Sequence, residues 1–412
     1  MKIAVILAAL FLTGCATYQS SVSPARDLLA SGQCEASLKL LEPLAVKDNG
    51  DQLVHLMDYG SALQICGDYK KSNQIFLQAT KLADQVDYHS ASRVVGATLL
   101  NEEMVQYKGD TFEKLFLNVS LALNYIQMGQ FDDALVEVRT MNQKFVKLQG
   151  EEKRSFELNS FSKYLSGLIW EATKKYDDAC IDFRDAYFID PFYRKVAADM
   201  LRTCWKAHRT DEFNMLVKKI NATPEEIKTA KEPNKAELII IYMQGWGPRK
   251  QPRPENRVFP TLVSVSSQTQ FVRADLLDGT KQKTIESFTT QPVYSVEKAA
   301  IDTLNADYTS LVARRIGSRV AKEVVADQIR QKDKLLGNLA WLAMVASERA
   351  DLRQWSIFPR TIQVMRIPVN PGPQSFHLTG LDGSMNSSEK MSDLDINIRG
   401  GEKRFQLVRT LR

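Results

Sequence analysis

A chain of 412 residues exceeds the roughly 100–200 residues of one domain, so two domains are expected. Hydrophobic residues at 44% and charged residues at 25% are ordinary globular values and exclude a disordered chain. With 54 basic against 49 acidic residues, the net charge of +5 is too small an excess for a general nucleic-acid binder.

The first residues read as a signal. Lys2 precedes an uncharged run, Ile3 to Gly14, that closes on Leu12-Thr13-Gly14 directly before Cys15. A positive residue, a short apolar run and small residues before a cut site make a secretory signal over residues 1–14. That run falls short of the about 20 residues of a membrane span. With a cysteine in this place, the motif resembles the lipobox of bacterial lipoproteins, whose cysteine is lipidated and becomes residue one of the mature protein. Cys15 is therefore the expected lipidation site and the contact with the membrane. Ala16, where aspartate would signal inner-membrane retention, points to the outer membrane and its periplasmic face. Residues 15–24 are polar and Ser-rich, the texture of a tether.

From residue 25 to about 230 the periodicity is helical. Lys163 to Pro191 carries Gly167, Trp170, Tyr176, Ala179, Phe183, Ala186 and Pro191, the spacing of a tetratricopeptide unit. Gly167 and Ala179 let two helices approach, while Tyr176 and Phe183 fill the groove between units. Units around Gly60/Phe76 and Ala122/Val138 fit the same frame, and a weaker copy runs from Leu28 to Leu44. Turn positions fall at Gly32, Gly67, Gly129 and Lys174, and Tyr193 to Ile220 reads as a closing helix pair. Residues 25–230 are thus an all-α tetratricopeptide-like repeat array, with an extra helical segment around Leu82 to Tyr107.

Thr223 to Asn234 is polar and holds Pro224 and Pro233, which sets a linker before a second domain over 236–412. Glu237 to Met243 predicts a buried strand. Gly245 to Pro254, with three prolines and two glycines, predicts irregular structure. Strands follow at Arg257–Ser267 and Gln270–Leu277. Val296 to Lys332 is helical, with Leu304, Tyr308, Leu311, Ile316 and Val320 on the buried face and Arg315, Arg319 and Lys322 on the solvated one. The uncharged run Leu335 to Ser347, 13 residues long, predicts a buried core helix rather than a span. Thr361–Val369 and short stretches near Gln374–Thr379, Leu394–Ile398 and Phe405–Leu411 predict closing strands. The second domain is α+β.

Little chemistry is visible. Cys34, Cys66, Cys180 and Cys204 are even in number in an exported domain, where disulfides persist, and they fall as the neighbouring pairs 34/66 and 180/204; buried free thiols are the alternative. His55, His89, His208 and His377 are scattered without ligand spacing, so no metal, cofactor or catalytic residue is assigned. Arg249, Lys250, Arg253 and Arg257 form a basic, proline-interrupted loop suited to an anionic partner such as a lipid head group or a carboxylate-rich wall peptide, which makes peptidoglycan a candidate contact.

The lipobox, the repeats, Gly245-Trp-Gly-Pro-Arg-Lys250 and Ala350-Asp-Leu-Arg-Gln-Trp-Ser-Ile-Phe-Pro359 together resemble an uncharacterised bacterial lipoprotein family. That family joins tetratricopeptide-like repeats to a β-rich C-terminal domain, and the likeness spans nearly the whole chain. It implies a role in cell-envelope assembly and transfers no catalytic residue. The reading is a non-enzymatic, membrane-anchored scaffold or adaptor that offers its repeat groove to an envelope protein. The competing reading is an envelope enzyme or polysaccharide-binding module in the C-terminal domain.

Overall fold

The computed structural model describes residues 18–97, 106–150, 159–190, 194–233, 235–346 and 348–412. Residues 1–17, with the signal and Cys15, lie outside the described residues. Helices come first: α1 (Tyr18–Ala30), α2 (Cys34–Ala45), α3 (Gln52–Ile65), α4 (Tyr69–Ala97), α5 (Thr111–Gln127) and α6 (Phe131–Gly150). They continue as α7 (Ser160–Ala172), α8 (Tyr176–Ile189), α9 (Lys195–Lys206), α10 (Thr210–Lys219) and α11 (Pro224–Ala230). They pair as antiparallel hairpins whose turns pass through the left-handed region at Gly32, Gly67, Gly129, Lys174 and His208.

The repeat frame is set by close helix approach. A Cβ on Gly60 would lie 2.7 Å from the Phe76 ring, and one on Gly167 would lie 2.7 Å from the Phe183 ring. Each glycine leaves the space its partner's ring occupies. The hydroxyls of Ser37 and Ser72 donate to the carbonyls of Ala25 and Gly60 at 2.7 and 2.8 Å, the same bond in two successive units. This part of the chain is a tetratricopeptide-like array.

The second part is built on two sheets. One has the order β11 (Lys403–Arg409), β1 (Ala236–Gln244), β7 (Thr361–Val369), β6 (Gln291–Ser295), with β1 parallel to β11 and antiparallel to β7. The other has the order β10 (Leu394–Ile398), β8 (Gly372–Leu381), β4 (Phe271–Leu277), β5 (Thr284–Thr289), with β9 (Ser387–Lys390) also on β8. A hairpin of β2 (Arg249–Pro252) and β3 (Pro260–Val263) stands apart. Two helices, α12 (Val296–Arg330) and α13 (Lys334–Ala346), are inserted between β6 and β7. The domain is α+β.

Strand β1 explains how the parts join. Leu238, Ile240 and Tyr242 face the second sheet in one apolar cluster. Ile239, Ile241 and Met243 belong to the cluster of the helical array. Successive side chains of a strand point to opposite faces, so a sheet clamped between two layers must be apolar on both. The molecule is therefore three layers: array, first sheet, second sheet.

Several expectations are corrected. The segment over 15–24 is no loose tether from Tyr18 onward: α1 begins there, and Tyr18 and Val22 are buried on its inner face with Ala25 and Leu29. The linker contains α11, capped by Thr223 and Glu226, and the core runs across it, so the two parts are not independent bodies. Regular strand β2 occupies part of the Pro-rich loop, because its pairing with β3 places Pro252 at the strand end, where no further ladder bond is required. Of Arg257–Ser267, only Pro260–Val263 is strand. Arg315 and Lys322 are buried, whereas Ile316 and Val320 are exposed. Ile316 falls five residues after Leu311, a rotation of about 140° at 3.6 residues per turn, which takes it off the buried face. Leu335, Leu336, Leu339 and Leu342 of α13 are exposed, so this is not a core helix.

Phe183 is fully buried. Phe183→Ala should therefore cost about 3–5 kcal/mol by the cavity it leaves. Gly167→Ala should destabilise the native chain by clash yet cost much less in the Phe183→Ala background. Denaturant melts of the four proteins test this coupling; additive losses would mean that the ring does not fill the glycine's notch.

Candidate functional site

The inner helices α3, α5 and α7 line the side of the array that faces the first sheet, and their side chains are buried almost throughout. This surface is not open. The segment 351–358 of the C-terminal domain lies in it as an irregular peptide with a turn at Ser356–Ile357.

Its main chain is read by two buried carboxylates. Asp58 of α3 accepts the N–H groups of Ser356 (2.8 Å) and Ile357 (3.1 Å) on one oxygen. On the other it accepts the Ser356 hydroxyl (3.0 Å) and the Tyr18 hydroxyl. Glu113 of α5 accepts the N–H of Trp355 at 2.9 Å. Its second oxygen accepts the Tyr107 hydroxyl at 2.6 Å and the N–H of Asp110 at 2.9 Å, completing the capping box of α5. The indole N–H of Trp355 donates to Ser61 at 2.8 Å. Its ring packs edge-on to Phe358 at 4.4 Å and lies 5.8 Å from Phe76. Phe358 in turn meets Phe116 at 4.8 Å. Arg353 reaches Asp51 at 3.0 Å and its own neighbour Asp351 at 2.7 Å.

Burial pushes Asp58 up to about 6, against the donors that favour its ionised form. Burial and then the charge of Asp110 raise Glu113 to about 7, with Lys250 and the donors pulling the other way.

A second contact lies where the sheet meets α7 and α9. Arg366 of β7 bonds Glu171 and Asp199, each at 2.9 Å, and also Glu237. Lys403 of β11 bonds Glu237 at 2.8 Å, and Arg202 of α9 bonds Glu171 at 3.0 Å. Three cations meet three carboxylates in a nearly dry cluster. Burial alone would raise Glu171, yet Arg202, Arg366 and Lys403 hold it well below the carboxylate range.

The basic loop is distributed rather than gathered into one anion site. Arg249 donates to the Ser356 carbonyl at 2.9 Å, and Lys250 donates to the Arg353 carbonyl at 3.0 Å. Arg253 lies 4.2 Å over the Tyr308 ring, and Arg257 is exposed. The first two fasten the seated segment through the carbonyls of Arg353 and Ser356, while those of Leu352 and Gln354 turn to Gln19 and Tyr18 of α1. The Gly245–Lys250 loop and the Ala350–Pro359 run are thus two halves of one joint. Cys34 is bonded to Cys66 across α2 and α3, and Cys180 to Cys204 across α8 and α9. His55 is buried 5.3 Å from the Tyr18 ring, His208 sits in a turn and His377 meets Asp393 at 2.6 Å. The side chain of His89 lies outside the described residues. Among the described residues, no group of His, Cys, Asp and Glu has the geometry to hold a metal ion.

Asp58, Ser61 and Glu113 escaped the sequence reading. Their signal is an acid or hydroxyl on the buried side of an inner helix, next to Met57, Tyr59 or Phe112, where a polar group needs a partner.

Beside the seat is a cavity of about 600 Å³, within the usual range for a small-molecule site. Phe112 and Glu113 of α5, Lys250, Leu262 of β3 and Leu304 and Leu311 of α12 are among its walls.

No protein-family model and no curated protein matches the chain. Among solved structures, it is similar to MamA AMB-1, at 16% identity over 50% of this chain and 93% of that one, with a TM-score of 0.32. It is also similar to MamA from Desulfovibrio magneticus RS-1, at 15% identity over 51% and 93%, TM-score 0.32. A third is a Podosopora anserina putative kinesin light chain with nearly identical TPR-like repeats, at 15% identity over 52% and 94%, TM-score 0.33.

The seat makes a signed pH prediction. The pKa of Glu113 is raised on folding, so its contribution is full below the unfolded value near 4 and is lost as pH rises through about 7. Thermal melts from pH 5 to 8 should fall more steeply for the native chain than for Glu113→Gln; equal slopes would refute the assignment. Asp58→Asn should destabilise at every pH in that range, because an amide can meet only part of the donor set; a loss of about 1–3 kcal/mol in a urea melt is expected.

Proposed function

We propose that this chain is a lipid-anchored, periplasm-facing scaffold of a bacterial envelope, non-enzymatic, held at the outer membrane through Cys15. The observation that carries the scaffold reading is the seating of 351–358 on α3 and α5. The array grips a non-helical segment by main-chain N–H groups on buried carboxylates and by an aromatic anchor, Trp355. Repeat arrays use such faces to hold partner proteins. Here that grip is used within the chain, making the array and the sheets one body with a fixed outer surface on which an envelope protein docks.

A second reading is favoured by the cavity beside Glu113. A half-open, largely apolar space with a carboxyl pushed to about 7 suits a small-molecule or saccharide site in the joint between the domains.

Two acyl chains already give stable membrane attachment. Cys15→Ser should therefore move the chain from the outer-membrane fraction into the high-salt wash, read by fractionation and immunoblot. Retention through the wash would sink the anchored reading. For the scaffold, crosslinking in cells followed by mass spectrometry should return a recurrent envelope protein linked to outer surfaces of the array or sheets. Links confined to the chain itself would refute it.

A further inference from the structure

The helical hairpin of α12 and α13 buries charge between its helices and exposes large apolar side chains, with Arg314, Arg319, Glu323 and Asp327 exposed beside them on α12. Between the helices, Lys322 bonds Glu348 at 3.2 Å and the Met344 carbonyl at 3.3 Å, with Lys322 and Glu348 almost wholly buried. Arg319 meets the same carboxylate at 3.1 Å, and Arg330 bonds Asn338 at 3.0 Å. Gly337 lies tight against Arg330, where a Cβ would come within 2.6 Å of the Arg330 backbone nitrogen. Outside, Ile316, Val320 and Val324 make an i, i+4, i+8 stripe that is 54–61% exposed. Leu335, Leu336, Leu339 and Leu342 are 52–69% exposed on the shorter helix. A hairpin selected for water places its charges outside and its leucines within. Charge inside and leucine outside suits surroundings of low polarity, where ionisable groups turn inward and pair.

Two further observations choose the occupant of that face. From Leu311 to Arg349 there are eight basic residues against four acidic, and Lys332 and Lys334 are exposed at the hairpin tip. The start of the described chain is tied to the hairpin's base. Gln19 donates to the Leu352 carbonyl at 2.9 Å and Tyr18 to that of Gln354 at 2.7 Å, close after the return from α13. Cys15 lies three residues before Tyr18, a reach of about 10 Å at most. Among the described residues, no helix is long and apolar enough to cross a membrane.

We infer that the hairpin is a second membrane contact: its apolar face lies in the interface of an anionic phospholipid surface, with Lys332 and Lys334 among the head groups. It would seat the rigid body flat at the bilayer rather than leave it swinging on one lipid. The placement of the N-terminus rests on the anchored reading. The affinity of the hairpin does not, so the two can fail separately.

The test uses the full chain with Cys15→Ala, in which the remaining cysteines are disulfide-bonded. A polarity-sensitive dye is attached through Leu339→Cys or, as control, through exposed Val46→Cys in the array. Vesicles of phosphatidylethanolamine and phosphatidylglycerol should shift the Leu339 dye to the blue and leave the Val46 dye unchanged. Added Leu335→Glu and Leu342→Glu should raise the vesicle concentration for half the shift on the order of tenfold, without changing the melting temperature. High salt should weaken the shift. No shift at Leu339, or equal shifts at both sites, would overturn the inference. A shift that follows protein concentration without vesicles would assign the face to a second copy and overturn it too.

Discussion

Two main-chain N–H groups decide how this molecule is assembled. Ser356 and Ile357 bring their amides into the interior, where an unpaired amide costs as much as a lost hydrogen bond. Asp58 takes both on one oxygen and takes Ser356 and Tyr18 hydroxyls on the other. Hydrogen-bond donors do most to offset its burial, with the Arg26 guanidinium close enough to interact with its charge. Remove the segment and Asp58 loses three of its four donors. Remove Asp58 and the amides of Ser356 and Ile357 are buried without their acceptor. Each part of the chain thus leaves the other incomplete.

The cluster around Glu171 and Arg366 works differently. There, charge answers charge, and replacing the whole set by apolar residues need cost little, whereas losing one member strands the rest. Its value is register. Arg366 sits on β7, Glu237 on β1 and Lys403 on β11, neighbouring strands, while Glu171 and Asp199 sit on two helices. Only one sliding position of sheet against array satisfies all of them. The seat and the cluster together make the three layers one body, which also closes the groove that a free repeat array would present. Among the described residues, the hairpin gathers seven exposed large apolar side chains, Ile316, Val320, Val324, Leu335, Leu336, Leu339 and Leu342.

Much was legible in the sequence because it depends on near neighbours. The repeat frame follows from small and large residues at fixed separations, Gly60 with Phe76 and Gly167 with Phe183, and the same helix–turn–helix geometry recurs wherever that spacing recurs. The pairing of 34 with 66 and of 180 with 204 was readable, as an alternative to free thiols, from neighbouring helices. β1 was visible as a run of β-branched residues. Gly245–Lys250 and Ala350–Pro359 were visible as unusual stretches.

What those stretches do was decided by tertiary structure alone. Ser356 and Asp58 are 298 positions apart in the chain, and no periodicity relates them. The basic loop looked like a surface for an outside anion, but the carbonyls of 353 and 356 claim Arg249 and Lys250. The faces of α12 were misread because a helix pattern marks which residues are alike, not which side water occupies. Leucines on α13 and a buried Lys322 carry the same periodicity whether the hairpin stands in water or against lipid. Local spacing determines the elements; the environment of each face is a property of everything packed around it.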